Sequence, residues 1–149
     1  MNKSKIKAFF AEYERRFNDS LAGKPLDVNA MTADFAEYIV GSGPTGVMGG
    51  KNDETYRQMI RGNEDRYRKI GAKYMKVTNI EVTELDDLHA AAKVYWDSGY
   101  NKNGELITIG FYVIYILTFV NNDIKIFAFI SGDEEKVLKE HGLVVEEKS

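Results

Sequence analysis

The sequence contains no cysteine, and this absence excludes several functions at once. Without thiols the chain cannot form a disulfide, use a thiolate as a nucleophile or hold a metal ion through cysteine. A chain without cysteine is compatible with a reducing compartment, and the cytoplasm is the expected location. Histidine is scarce, with two residues, and no histidine or carboxylate cluster has the spacing of a metal site. We therefore expect no metal and no cofactor.

A dominant charge and a membrane-length apolar run are missing as well. The net charge is −3 and both signs are interspersed, which argues against a nucleic-acid-binding surface. The longest apolar run extends from Glu105 to Val120 and is shorter than the roughly 20 residues that a membrane-spanning helix needs. The apolar residues after the basic start of the chain are soon interrupted by charged residues from Glu12 onwards, so no signal peptide is predicted. We expect neither a nucleic-acid partner nor a membrane.

The segment Glu105 to Val120 is the one around which the remaining chain is organised. Isoleucine, valine, threonine, phenylalanine and tyrosine dominate it, and these residues favour a long strand over a helix. Both of its faces are apolar, so a strand here needs a cover on each side.

Three helices are predicted in the first half of the chain. Apolar spacing indicates a helix from Ile6 to Leu21, with Ser4 available as its cap, and a short one from Asp27 to Thr32. A third helix is capped by Asn52 or Asp53 and extends to about Ile70. Its charged residues are predicted to form a solvated face; they are Arg57, Arg61, Glu64, Asp65, Arg68 and Lys69.

Strands and one last helix fill the rest of residues 1–149, which we interpret as a single domain. Besides Glu105 to Val120, the predicted strands are Asp34 to Val40, Met75 to Leu85, Leu88 to Ser98 and Ile124 to Ser131. Glu134 to His141 is a short helix, and Val144 onwards is a frayed tail. In Leu88 to Ser98 the small and apolar face is predicted to point inward; it contains Ala90, Ala92, Val94 and Trp96.

A glycine-rich segment, Gly41 to Lys51, matches G-x-G-x-x-G directly after a predicted strand. Dinucleotide binding requires a helix to open on those glycines, but more loop residues follow here. A Walker-type phosphate loop also fails, because Asn52 stands where serine or threonine must contact magnesium. We predict a mobile, lid-like loop at the mouth of a pocket, without a nucleotide.

Three helices followed by long antiparallel strands form an α+β pattern, and this order resembles the nuclear transport factor 2-like superfamily. The likeness is carried by Tyr13-x3-Phe17-Asn18, the Ala33-Asp34 turn, the glycine-containing loop before the third helix and the terminal strand from Lys125 to Ser131. The resemblance implies a cystatin-like cone, in which a bent mixed or antiparallel sheet wraps around three N-terminal helices. It also implies an apolar cavity and a homodimer through the outer face of the sheet.

In the cone that the resemblance implies, one face of the longest strand lines the cavity and the other face belongs to the outer surface of the sheet. With Tyr112, Ile114, Ile116, Phe127 and Phe129 assigned to the cavity, the outer patch would consist of Phe111, Val113, Tyr115, Leu117, Ile126 and Ala128. Such a patch is too apolar to remain exposed on a monomer.

The enzymes of this superfamily provide chemistries that can be compared with these residues. The ketosteroid isomerase pattern places its tyrosine at Tyr13, but its base falls beside Val40 and its acid at Ile114. The inward histidines of scytalone dehydratase and the Asp-Arg-Asp set of limonene epoxide hydrolase have no counterpart either. The sequence thus leaves open whether the protein is an enzyme at all.

Aromatic residues remain as the candidate site. We expect them to bind a small apolar or aromatic ligand, although ordinary core packing explains each one singly. The predicted ligand-binding residues are Tyr13, Phe17, Tyr38, Met59, Trp96, Tyr112, Phe127 and Phe129. The alternatives are a SnoaL-like isomerase, cyclase or hydrolase, and a dimerisation module without a ligand. An inward carboxylate or histidine with a perturbed pKa would favour the enzyme.

Overall fold

The computed structural model describes residues 2–144, and it confirms the predicted α+β order. The expected tail beyond Val144 lies outside the described residues. The elements in chain order are α1 (Lys3–Leu21), α2 (Val28–Ala33), β1 (Phe35–Gly43), β2 (Gly46–Lys51), α3 (Glu54–Lys69), β3 (Ala72–Asp86), β4 (His89–Lys102), β5 (Glu105–Val120), β6 (Asp123–Ser131) and α4 (Glu134–Glu140). The organising strand β5 has the predicted bounds.

Side-chain caps set where the helices begin. Asp27 and Asp53 accept hydrogen bonds from backbone N–H groups in the first turns of α2 and α3. Asp27 is the predicted cap, and Asp53 rather than Asn52 is the cap of α3. Ser4 is not the cap of α1; the Asn2 side chain accepts from the Ser4 N–H at 2.9 Å instead. That bond satisfies a donor that has no partner within the helix, and α1 therefore begins one turn earlier than predicted.

The six strands form one mixed sheet in the order β2-β1-β6-β5-β4-β3. The pair β1–β6 is parallel, and all other pairs are antiparallel. Asn103 and Gly104 connect β4 to β5, and Asn121 and Asn122 connect β5 to β6; all have positive φ. Two such residues form the primed turns whose twist suits a hairpin. These turns fix the long β4–β5 register.

The inward face of β4 is confirmed, but the predicted facing of β5 is wrong. Ala90, Ala92 and Val94 are fully buried and Trp96 is 3% exposed. Cross-strand partners share a face of the sheet, and the partners of these four residues on β5 are Leu117, Tyr115, Val113 and Phe111. Those β5 residues therefore line the core, whereas Tyr112, Ile114 and Ile116 lie on the outer face.

A β-bulge in β6 also separates two residues that were assigned to one face. Leu117 pairs with Ile126 and Ile116 pairs with Ala128, which leaves Phe127 as an extra residue. Phe129 consequently packs against the core and Ile126 is fully buried within it, while Ala128 pairs with an outward residue. The Phe127 ring contacts His89 on the outer face, at 5.9 Å between ring centroids.

The glycine-rich segment forms a β-hairpin, so the prediction of a loop is wrong. Its strands pair from Tyr38 with Lys51 up to Gly43 with Gly46. The Phe129 ring lies against Gly41, where a Cβ atom would approach its Cζ to 2.6 Å. Glycine thus allows an aromatic side chain from β6 to cross β1.

Among residues 2–144, no helix is both long enough and apolar enough to cross a membrane.

Candidate functional site

An inner cavity of about 230 Å³ lies between the helices and the core-facing side of the sheet. Helices α1 and α3 supply one wall, and β4, β5 and β6 supply the opposite wall. The lining includes Tyr13 and Phe17 from α1, Met59, Asn63 and Glu64 from α3, and Trp96, Phe111, Val113, Tyr115 and Phe129 from the sheet.

A wider outer groove adjoins this cavity. It has a volume of about 680 Å³ and runs between the β1–β2 hairpin, the start of α3 and the start of α4. Tyr56, Met59, Phe129, Ser131 and Glu134 line both spaces. The inner cavity therefore opens towards the groove, and the glycine-rich hairpin forms one side of its approach.

The structure brings together some of the predicted site residues and separates others. Tyr13, Phe17, Met59, Trp96 and Phe129 line the inner cavity. Tyr38 is 64% exposed on β1 and lines neither space. Tyr112 is 46% exposed on the outer face, where the Lys93 ammonium lies 4.3 Å from its ring centroid. Phe127 lies on the outer face as well, so the cavity assignments of these three residues are wrong.

Aromatic rings from the helix and the sheet meet at the floor of the inner cavity. The Tyr13 ring lies 6.1 Å from the Trp96 ring and 6.1 Å from the Tyr115 ring, measured between centroids. Phe111 stacks on Trp96 with an interplanar angle of 12°. Burial raises the pKa of Tyr13 to about 12, with a further contribution from the charge of Asp34, and burial also raises the pKa of Tyr115. Both phenols are therefore protonated at neutral pH and can donate hydrogen bonds.

Glu64 is the functional candidate that sequence reasoning missed. Its side chain is predicted on the solvated face of α3, yet it is 2% exposed and lines the inner cavity. Burial raises the pKa of its carboxyl, while a hydrogen bond from Ser20 and the charge of Arg68 act in the opposite direction. The Arg68 guanidinium donates to the Ser20 hydroxyl at 2.6 Å. Helical spacing was an available signal, since Glu64 follows the buried Ile60 by four residues.

Two polar atoms of this cavity have no hydrogen-bond partner. They are Oε2 of Glu64 and the indole Nε1 of Trp96, and both are buried. Buried polar atoms are nearly always paired in folded proteins, which sets these two apart from the apolar lining around them.

Asp34 belongs to a structural pair rather than to the cavity lining. It follows the last residue of α2, is 8% exposed and accepts a hydrogen bond from Arg16 of α1. Burial raises the pKa of the Asp34 carboxyl, although Arg16 and Lys125 counteract this. The pair connects α1 to the start of β1. Elsewhere in residues 2–144, no group of three or more histidine, aspartate or glutamate side chains is arranged to hold a metal ion.

The fold and its cavity define a class of protein. A mixed six-stranded sheet with helices over its core-facing side is the cystatin-like cone of nuclear transport factor 2-like proteins. The family described as NTF2-like protein (DUF6841) matches residues 3–134. The chain belongs to this family. A comparison with curated proteins found no significant match.

Solved structures show the same fold at low identity. An NTF2-like protein with a cystatin-like fold from Novosphingobium aromaticivorans is 12% identical, with a TM-score of 0.69, covering 97% of this chain and 89% of that one. The β subunit of benzoate 1,2-dioxygenase from Burkholderia mallei is 14% identical, with a TM-score of 0.65 and coverages of 93% and 94%. A ketosteroid isomerase-like protein from Erwinia carotovora atroseptica is 14% identical, with a TM-score of 0.61 and coverages of 89% and 97%.

Proposed function

We propose that the protein binds a small, mainly apolar molecule with one or two rings in the inner cavity. The observation that carries this proposal is the aromatic and aliphatic lining from both α1 and the sheet around an open volume of about 230 Å³. Sites for drug-sized ligands typically enclose about 300–1,000 Å³, so the ligand is smaller than these. The open outer groove provides its route of entry.

Tetralin, a hydrocarbon with two fused rings, is a suitable first probe. Binding should shift the fluorescence of Trp96, the only tryptophan, and should be measurable by calorimetry. Val113 and Ile114 provide a matched pair of variants, because they are neighbours on β5 and face opposite sides of the sheet. Val113→Phe should fill the cavity and abolish binding, whereas Ile114→Phe should preserve it. Equal binding by both variants would place the site elsewhere, and no binding to the unmodified protein would contradict the proposal for two-ring compounds.

A SnoaL-like isomerase, cyclase or hydrolase is the second candidate, and Glu64 favours it. A buried carboxyl whose pKa is raised above its usual 4.5 is a stronger base than an exposed carboxyl, which suits it to accept a proton from a substrate and to return it. The protonated Tyr13 and Tyr115 hydroxyls lie in the same cavity and could stabilise negative charge that develops on a substrate oxygen. Glu64 would then transfer the proton, and the two phenols would hold the oxygen.

Hydrogen exchange tests this chemistry directly. 1-Tetralone is a ketone whose hydrogens beside the carbonyl exchange when an enolate forms. In D₂O the protein should accelerate the loss of the proton NMR signal of those hydrogens, and Glu64→Gln should remove the acceleration. Asp65→Asn, at the neighbouring exposed carboxylate, is the matched control. Exchange at the buffer rate with the unmodified protein would argue for binding without proton transfer.

The protein is further proposed to be a homodimer through the outer face of its sheet. After the correction of facing, this surface contains Tyr112, Ile114 and Ile116 of β5, with Ile130 of β6 46% exposed beside them. An apolar surface of this kind is typical of an interface. Light scattering at micromolar concentration should give twice the monomer mass. Ile116→Lys should give the monomer, whereas Gln58→Lys, at an exposed position of α3 away from the sheet, should not.

A dimerisation module without a ligand is the remaining alternative, and tetralin binding would argue against it. A cytoplasmic location is part of the same proposal, and a chain without cysteine is compatible with it.

A further inference from the structure

The inner cavity contains an unused hydrogen-bond donor. Trp96 is 3% exposed, and its Nε1 atom has no hydrogen-bond partner. A weak hydrogen-bonding contact from the indole N–H acts to lower the pKa of the Tyr115 phenol, but its geometry falls short of a formed hydrogen bond, so Nε1 has no full partner. An indole N–H can only donate. The missing partner is therefore an acceptor such as a carbonyl or ether oxygen.

The opposite wall contains an unused carboxyl oxygen. Glu64 projects from α3, and its buried Oε2 atom has no partner. Ser20 of α1 donates a hydrogen bond to the same carboxyl, and the charge of Arg68 on α3 stabilises it. Neither residue forms a hydrogen bond with Oε2. A hydroxyl group would satisfy this oxygen by donating to it.

These two atoms differ from the other unpaired buried atoms of residues 2–144. Asn52 Oδ1 and Arg57 Nε are also unpaired, but neither residue lines the inner cavity. Trp96 and Glu64 both do, from the sheet and from the helix respectively. Leaving a buried donor or acceptor unsatisfied is costly, and a molecule seated between the two walls could satisfy both.

We propose that the inner cavity selects a flat one- or two-ring molecule with a hydrogen-bond acceptor directed at Trp96 and a hydroxyl directed at Glu64. This inference rests on the proposed binding function and names the chemical class of the ligand. Hydroxylated aromatic ketones have this combination of groups. The rings occupy the apolar lining, and the two polar groups give the orientation.

A series of related compounds tests the inference in the unmodified protein. Tetralin carries neither polar group, 1-tetralone adds the acceptor, and its 5-, 6- and 7-hydroxy derivatives add a donor at different positions. Calorimetry should show that 1-tetralone binds about tenfold more tightly than tetralin, and that at least one hydroxy derivative gains about a further tenfold, as expected for satisfied buried partners.

Variants assign each gain to its residue. Trp96→Phe should remove the advantage of 1-tetralone over tetralin, and Glu64→Met should remove the advantage of the hydroxy derivative over 1-tetralone. Phe127→Leu is the control: it removes a ring from the outer face of the sheet and leaves the cavity lining unchanged, so both advantages should remain. Circular dichroism would verify that each variant is folded. The comparison within the unmodified protein does not depend on the variants.

The outcomes separate this inference from the function on which it rests. Equal affinities across the series, including tetralin, would overturn the polar selection while leaving apolar binding intact; a cavity in which water satisfies Trp96 and Glu64 would behave in this way. Failure of every compound to bind would overturn both proposals for two-ring ligands. If the affinity gains of 1-tetralone and its hydroxy derivatives persist in Trp96→Phe and Glu64→Met, Trp96 and Glu64 are not the residues that recognise the two polar groups, and the inference is overturned.

Discussion

Replacing Glu64 with glutamine should change how the stability of the protein depends on pH. The pKa of this carboxyl is raised by burial above its usual 4.5. Below pH 4.5 both the folded and the unfolded chain hold the proton. As pH rises from 4.5 to the folded-state pKa, the unfolded chain releases the proton first, so unfolding becomes easier. Glu64→Gln should not show this loss.

The magnitude follows from the proton balance. In that pH range the unfolding free energy of the unmodified protein should fall, relative to the variant, by at most about 1.4 kcal/mol per pH unit. Urea unfolding followed by Trp96 fluorescence from pH 4 to 8 measures the difference. Asp65→Asn is the matched control, because the Asp65 side chain is 65% exposed on the same helix. If the unfolding free energy depends on pH in the same way in the unmodified protein and in Glu64→Gln, the ionised Glu64 carboxylate does not destabilise the folded state and the reasoning is refuted.

Two further substitutions test the packing around the cavity. Gly41→Ala should lower stability by about 1–3 kcal/mol in urea unfolding, since its Cβ would lie 2.6 Å from the Phe129 ring, whereas Gly50→Ala has open space and should cost little; equal effects would contradict this packing. Asn18→Ala should lower the unfolding free energy by roughly 2–4 kcal/mol, because the Asn18 side-chain amide donates to the backbone carbonyl of Met75 in β3 and accepts from its N–H. Asp19→Ala should cost less than about 1 kcal/mol, since its ion pairs are exposed, and a similar loss in both would show that the amide bridge contributes little.

Local signals in the sequence were sufficient for much of the fold. Asp27 is predicted as one cap, and Asn52 or Asp53 as another, because a short side chain with an oxygen acceptor before an apolar helical pattern has a specific role. The inward face of β4 was found because Ala90 to Trp96 alternates with polar residues, so only one face suits the core. These features depend on neighbouring residues, which a sequence displays directly.

The facing of β5 could not be found in the same way. Both of its faces are apolar, so hydrophobicity alone does not distinguish Tyr112 from Phe111. The distinction comes from pairing: Trp96 faces inward, and its partner across the hairpin is Phe111. The Asn103–Gly104 turn sets this register, so counting outward along both strands from the turn places Phe111, and not Tyr112, on the inward face. The bulge at Phe127 then breaks the alternation again in β6, with no signal in its own sequence.

The burial of Glu64 is not apparent from the sequence for a different reason, which is its charge. Its charge suggested a solvated position, yet the positions Tyr56, Ile60, Glu64 and Tyr67 follow one another along the helix face that lines the cavity. A residue chosen only for packing at that point would be apolar, because a buried carboxyl reduces stability above pH 4.5. Ser20 and Arg68 stabilise the group in place without satisfying Oε2. A purely apolar binding site gains nothing from this arrangement, whereas the proposed site, which recognises a hydroxyl group or transfers a proton, would use it.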